Sequence, residues 1–311
     1  MRAPLIRLSC LLSLLIATPS SSLTMEWVTV GDPGNVADTQ VMNDGTSGYG
    51  AVSYAYQISK YEVTNAQYAE FLNAVAAADP SGLYNSHMRI ARSGSPGSYT
   101  YDAPFGGSMP VTYVSFWDAL RFANWLNHGQ PTGPQDATTT EDGAYTMDFD
   151  VTRNPEATIV LTSEDEWYKA AYYDGATRTY FAYPSGSDTP TVCATPGPTS
   201  NTANCDHAVV SDPLNVGSYT GSPSPYGTFD EGGNVGEWNE NAVTGGTLGG
   251  VRGGDYSSPT GYLASSRRGF DNATAELPNY GFRVVMVPEP GTGPLVVAAL
   301  LALAGWRRPR T

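Results

Sequence analysis

The sequence predicts a loop-rich α+β domain in which short helices sit among short strands and long connections. Three observations lead there. The 311 residues include 34 Gly, 23 Pro and 20 Tyr, a composition that favours turns and aromatic packing over long regular elements. Hydrophobic residues make up 41% and charged residues only 15%, enough apolar surface for a core and too little charge for a disordered chain. Three capping patterns, each a Ser or Thr followed three residues later by an acid or amide, mark three short helices.

In chain order, Arg2 and Arg7 precede the apolar run Leu11-Leu12-Ser13-Leu14-Leu15-Ile16-Ala17 and then Ser20-Ser21-Ser22, the pattern of a secretory signal peptide over residues 1–22. Residues 26–31 and 52–58 read as strands separated by a turn-rich spacer. Thr64 with Gln67 opens the first helix, and Tyr68, Phe71, Leu72 and Val75 form its buried face. Residues 80–108 are aperiodic and Gly/Ser/Tyr-rich, a loop of a length that is usually functional or flexible. Ser115 with Asp118 opens the second helix, which continues through Leu120, Ala123, Leu126 and Asn127. Residues 131–151 return to loop, and Ser163 with Glu166 opens the third helix. No Pro/Gly/Ser stretch divides the chain into self-sufficient halves, so residues 26–287 read as one domain.

The formal net charge of -14 argues against nucleic acid as a partner. It suits solubility outside the cytoplasm and divalent cation binding equally well. Cys10 lies in the expected leader, which leaves Cys193 and Cys205 as a pair in a Pro/Thr/Asn-rich loop. In an oxidising compartment they are expected to form one disulfide. Two free thiols doing chemistry is the less favoured alternative, because neither has a basic neighbour in sequence to lower its pKa.

The C-terminus carries Pro288-Glu289-Pro290, an apolar run over residues 295–304, and Trp306-Arg307-Arg308-Pro309-Arg310. The run is short for a spanning helix, which needs about 20 apolar residues; the plainer reading is a single membrane anchor with a basic stop. The order of the three parts resembles a PEP-CTERM sorting tail over residues 288–311, which implies an exosortase-type processing enzyme as partner and membrane association before processing. Loss of both ends removes five arginines and one glutamate, so the exported product would be more acidic than its precursor.

Six phrases follow one another along the chain: Glu62-Val63-Thr64-Asn65, Pro110-Val111-Thr112-Tyr113-Val114-Ser115, Leu161-Thr162-Ser163-Glu164-Asp165-Glu166-Trp167, Gly233-Asn234-Val235-Gly236-Glu237-Trp238, Arg252-Gly253-Gly254 and Gly281-Phe282-Arg283. Together they resemble the formylglycine-generating enzyme (sulfatase-modifying factor) family. The resemblance implies a C-type-lectin-like α+β fold and structural calcium. Mapped residue by residue, one calcium site would use the Asp230 side chain, the carbonyls of Gly233 and Val235, and the Glu237 carboxylate. A second would use Asn204 and the carbonyl of Cys205, with Asp212 as a further candidate. The alternative for the first stretch is a solvated Gly-rich turn.

The oxidase members hold copper on two cysteines beyond the Arg-Gly-Gly phrase, and here Ser258 and Leu263 stand at those positions. A hydroxyl and an alkyl group cannot replace two thiolates on a soft metal, so copper is not expected and no catalytic residue carries over. His87, His128 and His207 are isolated and show no iron-binding spacing. Arg252 and Arg283 are expected to be buried and structural. Arg267 and Arg268, with Tyr256 and Tyr262 nearby, suit a ligand groove and a solvated rim equally. The leading reading is an exported, envelope-associated, calcium-stabilised binding or scaffold module for a protein or glycan ligand. The alternative is an oxidase that converts a sulfatase cysteine to formylglycine.

Overall fold

The computed structural model describes residues 23–148, 151–209, 211–243 and 246–289. The expected leader and the apolar and arginine-rich parts of the tail lie outside the described residues. Among the described residues, no helix is long and apolar enough to cross a membrane.

Strands β1 (Trp27–Val30) and β2 (Tyr56–Ser59) pair antiparallel and lead into helix α1 (Asn65–Val75). A hairpin, β3 (Ala91–Ser93) with β4 (Thr100–Asp102), precedes helix α2 (Phe116–Asn127), strand β5 (Ile159–Leu161) and helix α3 (Glu164–Tyr172). Two short pairs follow, β6 (Tyr173–Asp174) with β7 (Thr179–Tyr180) and β8 (Val192–Cys193) with β9 (Thr202–Ala203). The last described strands are β10 (Gly236–Val243), β11 (Leu248–Arg252), β12 (Gly269–Asn272), β13 (Tyr280–Phe282) and β14 (Val284–Met286). These strands build two four-stranded sheets, ordered β1-β2-β14-β5 and β12-β11-β10-β13.

All three expected helices form, and each expected capping box is complete, with side-chain and backbone bonds in both directions. Such caps contribute about 0.5–2 kcal/mol each. The second expected strand is shorter than residues 52–58 suggest, because the Asn35 side chain, rather than a neighbouring strand, ties the backbone there. It donates to the Gly50 carbonyl at 2.7 Å and accepts from the Val52 amide at 3.2 Å. The hairpin β3–β4 falls inside the expected loop. Of its six residues only Tyr101 is buried, so no alternation betrays it.

The aromatic residues of α1 and α2 meet the end of the chain in the core. Phe122 lies 5.3 Å from both Phe71 and Phe282, ring centre to ring centre, and all three are fully buried. Arg283 alone separates β13 from β14, so the chain passes from one sheet to the other at that residue.

Candidate functional site

Beyond β11 the backbone turns through Gly253 and Gly254, both at positive φ (96° and 66°). A Cβ on Gly253 would stand 2.9 Å from the Glu231 carbonyl oxygen, so the turn requires glycine on two counts. The turn opens a cleft of about 230 Å³ whose lining includes Arg252, Ser258, Tyr262, Arg267, Arg268 and Tyr280. Asp255 braces its edge: one carboxylate oxygen accepts from the Ser257 amide and hydroxyl at 2.7 and 2.6 Å, the other from Asn279 at 2.7 Å.

The arginines of this cleft differ in how fully they are used. Arg252 is buried, pairs with Glu164 at 2.6 Å and donates to the carbonyls of Ser265 and Arg267. Arg268 pairs with Glu164 at 2.6 Å and Asp44 at 2.7 Å and lies over the rings of Phe270 and Tyr49. Burial tends to raise the Glu164 pKa, but Arg268 and Arg252 hold it below the usual carboxylate value. Arg267 lies 4.2 Å over the ring of half-exposed Tyr262, and among the described residues no carboxylate pairs with it.

At the sheet junction the arginine is fully used. Arg283 forks onto Glu237, Nε to Oε2 and Nη2 to Oε1, both at 2.6 Å, and also donates to the carbonyls of Ser59 and Phe229. Trp167 adds its indole N–H to Glu237 Oε2 at 2.7 Å. Arg252 and Arg283 are therefore the buried structural arginines the sequence leads one to expect.

The chain matches the family described as "Sulfatase-modifying factor enzyme 1-like domain" over residues 28–287. It belongs to that family. Among solved structures, it is similar to CarF, with 23% identity and TM-score 0.54, covering 86% of this chain and 99% of that one. It is also similar to Treponema denticola variable protein 1, with 19% identity and TM-score 0.53, over 86% and 97%. PvdO from Pseudomonas aeruginosa matches at 18% identity and TM-score 0.52, over 83% and 100%. At these identities the likeness concerns the fold. No curated protein matches the chain significantly.

The sulfatase-modifying-factor fold brings the two positions that the resemblance assigns to oxidase cysteines to one point: a Cβ on Gly254 would stand 3.3 Å from Ser258 Cβ and 3.1 Å from Leu263 Cδ1. Ser258 lines the cleft. Leu263 is fully buried in a cluster with Tyr183, Ala203 and Cys205. Cys205 is bonded to Cys193 in a disulfide with a Cα separation of 5.0 Å. Tyr256, grouped by sequence with Tyr262 and the arginines, faces a different groove of about 600 Å³ that also takes in His87, Phe105, Tyr113 and Asp212. His87 stacks on Tyr113, His128 bonds the Asp142 carbonyl and His207 sits beside Tyr256, so the three histidines never converge.

The residues implied for calcium fit that ion unevenly. Glu237 is paired through both oxygens with a guanidinium, which would repel a cation at the same carboxylate. Asp230 is half-buried, accepts from the Gly217 amide at 2.6 Å, and is pushed up to about 6 by burial. In the second set, Asn204 is buried and its Oδ1 has no partner, as a ligand would be. The Cys205 carbonyl accepts from Ala208, and the Asp212 carboxylate is turned to Arg89. Among the described residues, no group of three or more His, Cys, Asp or Glu is placed to hold a metal.

Glu164, Asp44, Tyr280 and Asn279 shape the cleft without having been read from sequence as site residues. Only Glu164 gave a usable signal. It opens an acidic first turn, Glu164-Asp165-Glu166, and two of its members hold arginines.

Proposed function

We propose that this domain is a non-oxidase binding module that receives an anionic group of a protein or glycan ligand in the cleft beyond Arg252-Gly253-Gly254. Arg267 carries the reading. In a chain of net charge -14 it offers a guanidinium with no carboxylate partner among the described residues, oriented by stacking on Tyr262 in a cleft that Ser258 also lines. A planar fork held this way suits bidentate carboxylate, sulfate or phosphate recognition. Ser258 and Leu263 in place of thiols support a function other than copper oxidation. The leader and tail patterns support export to the cell envelope, with membrane association and an exosortase-type enzyme acting before release. A structural cation in the frame completes the reading.

The test is binding of the purified domain to matched acidic and neutral glycans and peptides. Arg267→Ala is expected to weaken the acidic ligands at least tenfold and leave neutral ones unchanged. Equal binding of both classes by the native and variant proteins would remove the cleft from consideration.

One observation favours the oxidase alternative. Cys205 packs with Leu263, and the Asp206 amide bonds the Ser258 carbonyl, so a cysteine pair lies beside the family's thiol positions. That chemistry would need the pair reduced and loaded with copper. Mass spectrometry of the unreduced protein, expected to show the disulfide and no bound copper, separates the two.

A further inference from the structure

Among the described residues, every arginine except Arg92 and Arg267 forms an ion pair with a carboxylate of the chain. Arg92 sits at the centre of β3, opposite Tyr101 of β4. It is solvent-exposed, and its guanidinium carbon lies 4.4 Å from the ring centre of Tyr84 and 4.3 Å from that of Tyr99. Tyr101 anchors the group: it is buried, donates its hydroxyl to the Ala76 carbonyl at 2.8 Å, and lies 5.5 Å from Tyr84 and 6.5 Å from Tyr99, ring centre to ring centre. The acids of this region are turned elsewhere. Asp79, whose charge reaches Tyr101, accepts from the amides of Leu83 and Tyr84 and from the Gln135 side chain. Asp102 pairs with Ala91, one step from the Arg92–Tyr101 pair, so it stands on the other face of the hairpin. A guanidinium meets aromatic rings through its face, and two ring contacts leave its in-plane N–H donors to a ligand.

We propose that the β3–β4 hairpin is an anion-binding site, in which Arg92 takes an oxyanion of an acidic glycan edge-on. A carboxylate or sulfate accepts two parallel N–H bonds from such a fork, and rings that hold the guanidinium before binding reduce the ordering cost of the complex. The surroundings favour a glycan over a peptide. Ser93, Ser95, Ser98 and Thr100 are exposed along the hairpin and offer hydroxyls to a sugar, whereas no large apolar side chain of the hairpin is exposed for a peptide to cover. The net charge of -14 repels a polyanion elsewhere on the surface, which confines such a ligand to the arginines left without carboxylates. The site shares no residue with the cleft at Arg267 and does not depend on what that cleft binds.

The experiment is calorimetric titration of the full chain with a galacturonate oligomer, a sulfated dextran oligomer, a plain dextran oligomer and an aspartate-rich peptide, repeated on Arg92→Ala, Arg92→Lys and Arg267→Ala. The native protein is expected to bind at least one acidic oligomer and not plain dextran, and the tighter of the two acids identifies the oxyanion. Arg92→Ala should keep the native circular dichroism spectrum and lose about tenfold in affinity, in the Arg267→Ala background as well. Arg92→Lys keeps the charge without the fork and should lose severalfold. Equal binding by native protein and Arg92→Ala, with loss confined to Arg267→Ala, would overturn the hairpin site and leave the cleft. Undiminished binding by Arg92→Lys would overturn the edge-on fork. Binding of the peptide in place of both acidic oligomers would overturn the glycan assignment, and no binding of any acidic probe would overturn the proposal outright.

Discussion

Arg283 and Arg267 belong to the same short final third of the chain, yet they are used in opposite ways. Arg283 is fully buried between two sheets and has every direction of its fork answered, by Glu237, Ser59 and Phe229. Arg267 rests on one tyrosine ring at a cleft wall, and among the described residues no carboxylate pairs with it. The first shows how this fold closes, the second what the closed fold leaves available. An arginine saturated by its own chain contributes to the frame; one left with unused donors can recognise something else.

The comparison breaks most sharply at the junction. Arg283→Ala should cost about 3–5 kcal/mol, because it strands the Glu237 carboxylate in the core; chemical denaturation measures it, and a cost under about 1 kcal/mol would mean the pair is not what joins the sheets. A carboxylate with no guanidinium bonded to it extends the contrast. Asp118 is buried and pushed up to about 7 by desolvation, against the hydrogen bonds from Ser115 that pull the other way. Its folded pKa lies above its unfolded one, so its contribution is fully present below about pH 4 and lost as pH rises through about 7. Asp118→Asn should flatten the fall in stability between those limits, and an unchanged pH profile would refute the shift. Arg268, whose side chain is 7% exposed and paired with Glu164 and Asp44, should cost about 1–2 kcal/mol on replacement by Ala, because Glu164 keeps Arg252 as a partner. Arg267→Ala should change stability by less than about 0.5 kcal/mol; a larger loss would make Arg267 part of the frame and dull the comparison.

Local signals were legible where the chemistry is local. Thr64 with Gln67, Ser115 with Asp118 and Ser163 with Glu166 each satisfy amides within one turn, so the three helices could be read directly. The hairpin β3–β4 could not, because only Tyr101 turns inward. The cleft was half legible. Tyr262, Arg267, Arg268 and Ser258 are neighbours in sequence and stay neighbours in space, but Tyr256 turns into another groove. Asp44 and Glu164 reach Arg268 from 224 and 104 positions away.

The sequence by itself determined the α+β class, the helix starts, the pairing of the two remaining cysteines and the family, because capping, composition and phrase order are properties of neighbouring residues and their succession. Only the tertiary structure decided which carboxylates are answered by arginine. Glu237 and Glu231 are six positions apart in one acidic, glycine-rich stretch and look alike on paper. The passage of the chain between sheets brings Arg283 to the first and leaves an oxygen of the second without a partner. Charge compensation in a core depends on distances between remote segments, and no local pattern records those distances.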